Sequence, residues 1–328
     1  MACKAILHKI FIILFPHVLD ICFLYPKMTC FLLYSLIIPN ILYKAYIREA
    51  AKMNLFVRVR KDVRLFVEDL NVNSEQTILF IHGWPLNHNM WEYEVEYLIE
   101  IGYRVVTIDL RGYGQSDRPK DGYDYDTMAS DIKGIIDALQ LKNITLVGHS
   151  MGAAIAIRYL SKYKDASVSR LVLLSAAAPS AVQTKEFEFG LVEDTLDDYI
   201  EQIYNDRPQF ITTIKNLFFF RYTTPEFDKW FEDLCLQASG WATAKSLISL
   251  RDERLFDDLK AINIPTLILH GIHDKVCPFD LATYLNKNIK DSVLIPLKES
   301  GHAAFFEEKD EVSDAIDKFI RKELAKNK

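Results

Sequence analysis

The sequence has little cysteine, no excess of basic residues, no internal repeat and no low-complexity tract or flexible linker. Each shortage closes off a class of protein. Five cysteines without regular spacing supply neither a disulfide framework nor a tetrahedral zinc site. A formal net charge of −6, with a pI near 5.8, argues against nucleic acid as the main partner. What is present is apolar: 50% hydrophobic residues against 26% charged ones. A chain of 328 residues with that balance can bury a substantial core, as one large domain or two small ones.

Glycine is missing altogether from residues 1–52, where three of the five cysteines lie. Six basic side chains face two acidic ones there, a local +4 that leaves −10 for the remainder. Three readings compete for this stretch. A membrane anchor is one, but Asp20 and Lys27 break the apolar sequence, and Pro16, Pro26 and Pro39 recur through it. Its longest uncharged run is 16 residues, against the ~20 that span a bilayer. A signal peptide is another, but no single hydrophobic region leads to a small-residue cleavage site. The third is that translation begins at Met53. The triplet Arg48-Glu49-Ala50 can be encoded by a purine-rich string like a bacterial ribosome-binding site, and 276 residues remain from Met53, a normal size for one α/β domain. The start-site reading makes the protein cytoplasmic. The anchor reading ties it to a membrane through residues 1–52, if they are translated and retained.

From Met53 onward the hydrophobic period changes repeatedly. Leu55–Val59 and Val63–Glu68 alternate like a half-exposed antiparallel pair. Thr77–Ile81, Val105–Ile108, Ile144–Val147 and Leu171–Leu174 are continuous apolar runs, suited to strands covered on both faces. Met128–Leu139 has helical spacing, and a helix pattern follows Ser150. Between about 179 and 260 helical segments rich in aromatics take over, with Phe218, Phe219, Phe220, Trp230 and Trp241 among them. Strand signals return at Pro265–His270 and Val293–Pro296, and a terminal helix starts near Asp310. The pattern predicts an α/β protein: a mostly parallel central sheet flanked by helices, with a helical cap inserted after the sixth strand. That cap would lie over the sheet's C-terminal edge, where ligands of such folds bind.

The stretch Ile144–Ala154 carries the chemistry. A β-branched run meets Gly148-His149-Ser150-Met151-Gly152, and a small-residue helix follows. This is a G-x-S-x-G nucleophile elbow in its required context of strand, turn and helix. The sharp turn strains Ser150 and brings strand and helix so close that a Cβ at Gly148 or Gly152 would collide with the opposite element. It also aims the Met151 N–H, at the positive end of the helix, toward a developing oxyanion.

A serine hydroxyl is a weak nucleophile and needs a base, a group that orients the base, and an oxyanion hole. His302, after the last strand, is the candidate base, and Asp274, after the strand before it, is the candidate orienting acid. The chain order Ser150, Asp274, His302 is the one this type of elbow leads to expect. The Trp84 N–H, after Thr77–Ile81, is the candidate second oxyanion donor; Pro85 has no N–H and instead stiffens that loop. His82 and Gly83 support the same loop, and His149 packs beside the site. Asp109 and Arg111 tie down the loop after their strand, Asp258 and Asp280 read as surface or helix-cap residues, and Cys277 as small apolar filler. His270 and His273 do not match the chain order of a base, and their H-x-x-H spacing alone is a weak metal signal.

Taken together, His82-Gly83-Trp84-Pro85, the Asp109–Pro119 loop, Gly148–Gly152, Asp274 and Gly301-His302 resemble the α/β-hydrolase superfamily. Within it, with Trp91-Glu92-Tyr93 and the strand from Arg170 to Leu174, they resemble the cofactor-free (non-haem) haloperoxidase and aryl esterase group. The resemblance runs from about Met53 to the C terminus and is loosest in the cap. Ala153 stands where many relatives have a second glycine, Cys277 where they usually have Val or Ile, and residues 1–52 have no counterpart. The resemblance implies the α/β-hydrolase fold and a serine hydrolase acting on small-molecule carboxylic esters without metal, haem or other cofactor. It also implies a perhydrolase side activity, in which peroxide replaces water and the peracid oxidises halide. Rival readings on the same fold are a C–C bond hydrolase, a thioesterase or amidase, and a ligand-binding protein with an idle site. Haloalkane dehalogenases and epoxide hydrolases carry Asp at the elbow, which Ser150 argues against.

Overall fold

Residues such as Ile78, Leu79, Val106 and Leu146 have no polar atom to offer water, and runs of them are stable only when both faces are covered. In the computed structural model, which describes residues 52–323, those runs form the middle of one eight-stranded sheet. The strands are β1 (Lys52–Arg60), β2 (Val63–Leu70), β3 (Thr77–Ile81), β4 (Arg104–Ile108), β5 (Ile144–His149), β6 (Val168–Leu174), β7 (Thr266–Gly271) and β8 (Ser292–Leu297). Their spatial order is β1-β2-β4-β3-β5-β6-β7-β8. β2 runs antiparallel to β4, and β4 through β8 are parallel to one another. The readings made for residues 1–52 lie outside the described residues.

Helices α1 (Glu92–Glu100), α2 (Tyr125–Ala138) and α3 (Met151–Tyr163) connect the early strands. The inserted helices are α4 (Glu193–Phe218), α5 (Pro225–Leu236) and α6 (Gly240–Asp252), followed by the short α7 (Phe256–Leu259). The chain closes with α8 (Asp280–Asn288), the short α9 (Ala304–Glu307) and α10 (Lys309–Ile320). Their starts are written locally. Asp124, Thr224 and Ser239 each accept a backbone N–H three residues on, and Pro225 occupies the first turn of α5. α4 kinks at Asp206 because Pro208 cannot donate in the ladder; the Asp206 carboxylate accepts the Gln209 N–H and restarts the helix.

Two sequence expectations shift. β2 is buried along most of its length rather than half-exposed. The loops after β4 and β3 cover it, with Ser116 Oγ accepting the Phe66 N–H at 2.9 Å and the His88 ring 4.9 Å from that of Phe66. The insertion also turns helical only at Glu193. Residues 179–192 form an irregular loop held by isolated bridges, Val182 to Leu191 and Thr184 to Phe187.

Parallel register fixes where the site can be. Ile81 pairs with Gly148, His149 with Leu174, and Gly271 with Leu297. The loops leaving β3, β5, β7 and β8 therefore emerge along one edge of the sheet. Among the described residues, no helix is long and apolar enough to cross a membrane.

Candidate active site

At the end of β5 the chain turns so sharply that Ser150 takes φ 52° and ψ −116°, a left-handed conformation costly for a residue with a Cβ. The two flanking glycines make the turn possible. A Cβ on Gly148 would sit 2.6 Å from the Ala153 N, and one on Gly152 would meet the Ile81 carbonyl and lie 2.6 Å from that of His82. Backbone hydrogen bonds hold the strained residue: Ser150 N–H donates to Leu174 O at 3.0 Å, and Ser150 O accepts from Ala153 and Ala177. Met151 opens α3, where the first N–H groups have no intrahelical acceptor.

The loop after β3 lies against this turn. A Cβ on Gly83 would run into the His149 ring, so only glycine lets the two backbones approach. His82 is buried and braces the loop, its Nδ1–H donating to Gly83 O at 2.9 Å and its Nε2 accepting the Leu110 N–H at 3.0 Å. Burial pushes its pKa down to about 4, so it stays neutral. The Trp84 indole N–H donates to Thr243 O of α6 at 2.9 Å, tying this loop to the cap; the Trp84–Pro85 peptide is cis.

Asp274 is bonded at both carboxyl oxygens. Oδ1 accepts the N–H groups of Val276 and Cys277, each at 2.8 Å. Oδ2 accepts His302 Nδ1–H at 2.8 Å and lies 3.2 Å from His270 Nε2. Burial alone would raise this carboxyl group's pKa. The facing His302, with His270 and the hydrogen bonds, instead holds it well below the usual carboxylate range. His302 is fully buried, and among the described residues its Nε2 has no hydrogen-bond partner. His149 Nε2–H donates to the His302 carbonyl at 2.9 Å, and the Phe218 ring stands edge-on 5.0 Å away. His149 therefore packs beside the site and also holds the backbone of His302. Burial, and then the charge of His302, push its own pKa well down.

Several other residues sit differently from their sequence reading. Cys277 is not mere filler: its N–H donates to Asp274 Oδ1 and its carbonyl accepts His270 Nε2–H at 2.7 Å, while burial, then the Asp274 charge, raise the pKa of its thiol. Asp258, half-buried in the first turn of α7, also pairs with Arg158 at 3.0 Å. Asp109 does tie down its loop, accepting from Gln115 N–H and from both the N–H and Nδ1 of His88. Arg111 also ties down this loop, through a two-pronged pair with Asp131 of α2 and a bond from Nη1 to the Asp121 carbonyl at 3.4 Å. His270 supports Asp274, and His273 stacks on Phe220 at 3.6 Å. Sequence reasoning passed over His88 and Glu307, because each binds groups distant in the chain.

Two open clefts, of about 460 and 400 Å³, lie at the opposite edge of the sheet, beside Thr77 and Arg104 and beside Val168 and Ile264. None of the residues around Ser150 lines them. Ser150 itself is 4% exposed, covered in this closed arrangement.

Residues 76–309 match the family model described as α/β hydrolase fold. An AB hydrolase superfamily protein of Bacillus subtilis is 47% identical over 267 residues, covering 81% of this chain and 99% of that protein. Among solved structures, an esterase from Exiguobacterium antarcticum shares 40% identity at a TM-score of 0.80, over 82% of this chain and 100% of that one. A bromoperoxidase from Bacillus anthracis shares 30% identity at a TM-score of 0.79, over the same 82% and 100%.

Proposed function

The chain belongs to the α/β-hydrolase family, and on that premise we propose that it is a serine hydrolase that cleaves small carboxylic esters through Ser150, His302 and Asp274. The observation that carries this reading is the buried Asp274–His302 pair packed against His149, the residue before the strained Ser150, with His302 Nε2 left without a partner among the described residues. Ser150 Oγ attacks the ester carbonyl while His302 Nε2 takes its proton. Asp274 keeps the Nδ1–H tautomer and stabilises the imidazolium that forms. The N–H groups of Trp84 and Met151 receive the oxyanion. Collapse expels the alcohol, which leaves with the proton from His302, and a water repeats the sequence on the acyl-enzyme to release the acid.

The relative titled bromoperoxidase supports a side reaction at the same site. Hydrogen peroxide in place of water would release a peracid and regenerate Ser150. Supporting an apolar or aryl ester rather than a charged one are the cap aromatics that face this region, Phe218 next to His302 and Phe210 next to Trp84.

A panel of p-nitrophenyl and aryl esters of increasing chain length, with a thioester and an amide included, tests the reading. Short esters should turn over fastest, and Ser150→Ala should abolish turnover and fluorophosphonate labelling while leaving the fold intact. Near-wild-type activity in Ser150→Ala refutes the nucleophile. Faster turnover of the thioester or amide overturns the ester assignment.

A further inference from the structure

One buried carboxylate joins the cap to the His302 loop. Glu307 ends α9 and is only 7% exposed. Its Oε1 accepts the N–H groups of Phe220 at 2.7 Å and Arg221 at 2.6 Å, on the segment leaving α4. Its Oε2 accepts the N–H of Gly301, the residue before His302, at 2.7 Å. Arg221 Nη1 returns to the Glu307 carbonyl at 2.7 Å. No side chain separates the two segments: a Cβ on Gly301 would lie 2.8 Å from Phe218 O and 3.1 Å from Phe220 N. Ala303 N–H donates to Phe218 O at 2.9 Å, and the Phe218 ring stands edge-on to His302. The sheet side holds His302 through Asp274 and His149. The cap side holds it through Phe218 and this carboxylate.

We propose that Glu307 is a positioning residue that transmits the seating of the cap to His302, so that the imidazole is aligned with Ser150 only while the segment Phe218–Arg221 is docked. This rests on the reading of His302 as the base. Only an ionised carboxylate offers acceptors on both sides of the joint. A glutamine would turn an NH2 group toward one set of N–H donors and release either the cap or the His302 loop. The cap then does more than shape a pocket: it completes the catalytic alignment.

The test measures kcat and KM on a short p-nitrophenyl ester, the second-order rate of fluorophosphonate labelling, and the thermal unfolding midpoint, for wild type, Glu307→Gln and Glu307→Asp. A displaced base costs roughly tenfold to a hundredfold. In Glu307→Gln, kcat and labelling should fall together by that factor while KM stays within about threefold. Glu307→Asp, which keeps both acceptors, should recover part of the loss. Unchanged kcat and labelling in folded Glu307→Gln overturn the proposal, even if the unfolding midpoint drops, because a structural staple alone behaves so. A rise in KM alone overturns it too. If Glu307→Gln does not fold, Arg221→Ala, which frees the docked segment from the Glu307 carbonyl, carries the comparison: kcat and labelling should fall together with KM within about threefold, and unchanged values overturn the coupling. Wild-type protein that fails to label refutes the serine-hydrolase reading itself, and this role with it.

Discussion

Replacing Asp274 by asparagine should remove the base without disturbing the fold, and the hydrogen bonds say how. Asp274 Oδ1 takes two backbone N–H groups, from Val276 and Cys277, at 2.8 Å each. Neither donor can move without unmaking the turn. An asparagine must therefore keep its carbonyl oxygen at that position, which places its NH2 where Oδ2 now meets His302 Nδ1. Two N–H donors cannot face each other. His302 is driven to carry its proton on Nε2, and it then cannot accept one from Ser150. The same substitution in the protease triad costs ~10⁴ in kcat, which is about 5.4 kcal/mol of barrier. Steady-state hydrolysis of a p-nitrophenyl ester measures it, with circular dichroism to confirm the fold. Asp109→Asn is the control, since Asp109 binds His88 and Gln115 rather than His302; it should lower stability and spare kcat. An Asp274→Asn enzyme within tenfold of wild type, or an Asp109→Asn enzyme that is the more damaged, refutes the assignment of the acid.

Glu94 of α1 is fully buried, and among the described residues neither of its carboxyl oxygens has a hydrogen-bond partner. Burial holds its pKa well above the ordinary value, so the fold favours the protonated form more than the unfolded chain does. A raised folded pKa gives stability that is present below the unfolded value and lost as pH rises toward the folded one, at up to ~1.4 kcal/mol per pH unit. Glu94→Gln should thus gain on wild type in urea unfolding as pH rises above the ordinary carboxyl range; a difference that does not change with pH contradicts this. Gly152→Ala forces a Cβ against the Ile81 and His82 carbonyls and should cost about 1–3 kcal/mol of stability along with most of the activity. Gly240→Ala, where a Cβ meets nothing within 4 Å, should be neutral or stabilising by up to ~1 kcal/mol in thermal unfolding. Equal effects from the two substitutions would show that steric crowding at the elbow does not set the outcome.

Features governed by neighbours in the chain were legible in advance. The apolar runs that became β3 through β7 have no polar face, so they had to be interior strands, and their alternation with helices implied a parallel sheet. The elbow was readable because Gly148 and Gly152 are short-range steric requirements of a strand turning directly into a helix. The kink of α4 is equally local in origin, since Pro208 lacks the N–H that the helical ladder needs.

What the linear order left open is which distant groups would meet. The Trp84 indole finds the Thr243 carbonyl 159 residues away, and Glu307 gathers N–H groups from 86 and 87 residues back. Cys277, read as filler, lends its backbone N–H to Asp274 and its carbonyl to His270. His88 meets Asp109 only because the loops after β3 and β4 come together, and among the described residues the Glu94 carboxyl group is left without a hydrogen-bond partner. Backbone propensity, turn sterics and hydrophobic period act within a few residues, so the sequence carries them openly. Hydrogen bonds of buried side chains depend on which surfaces exclude water together, and that is settled only when the whole sheet and its cap have packed.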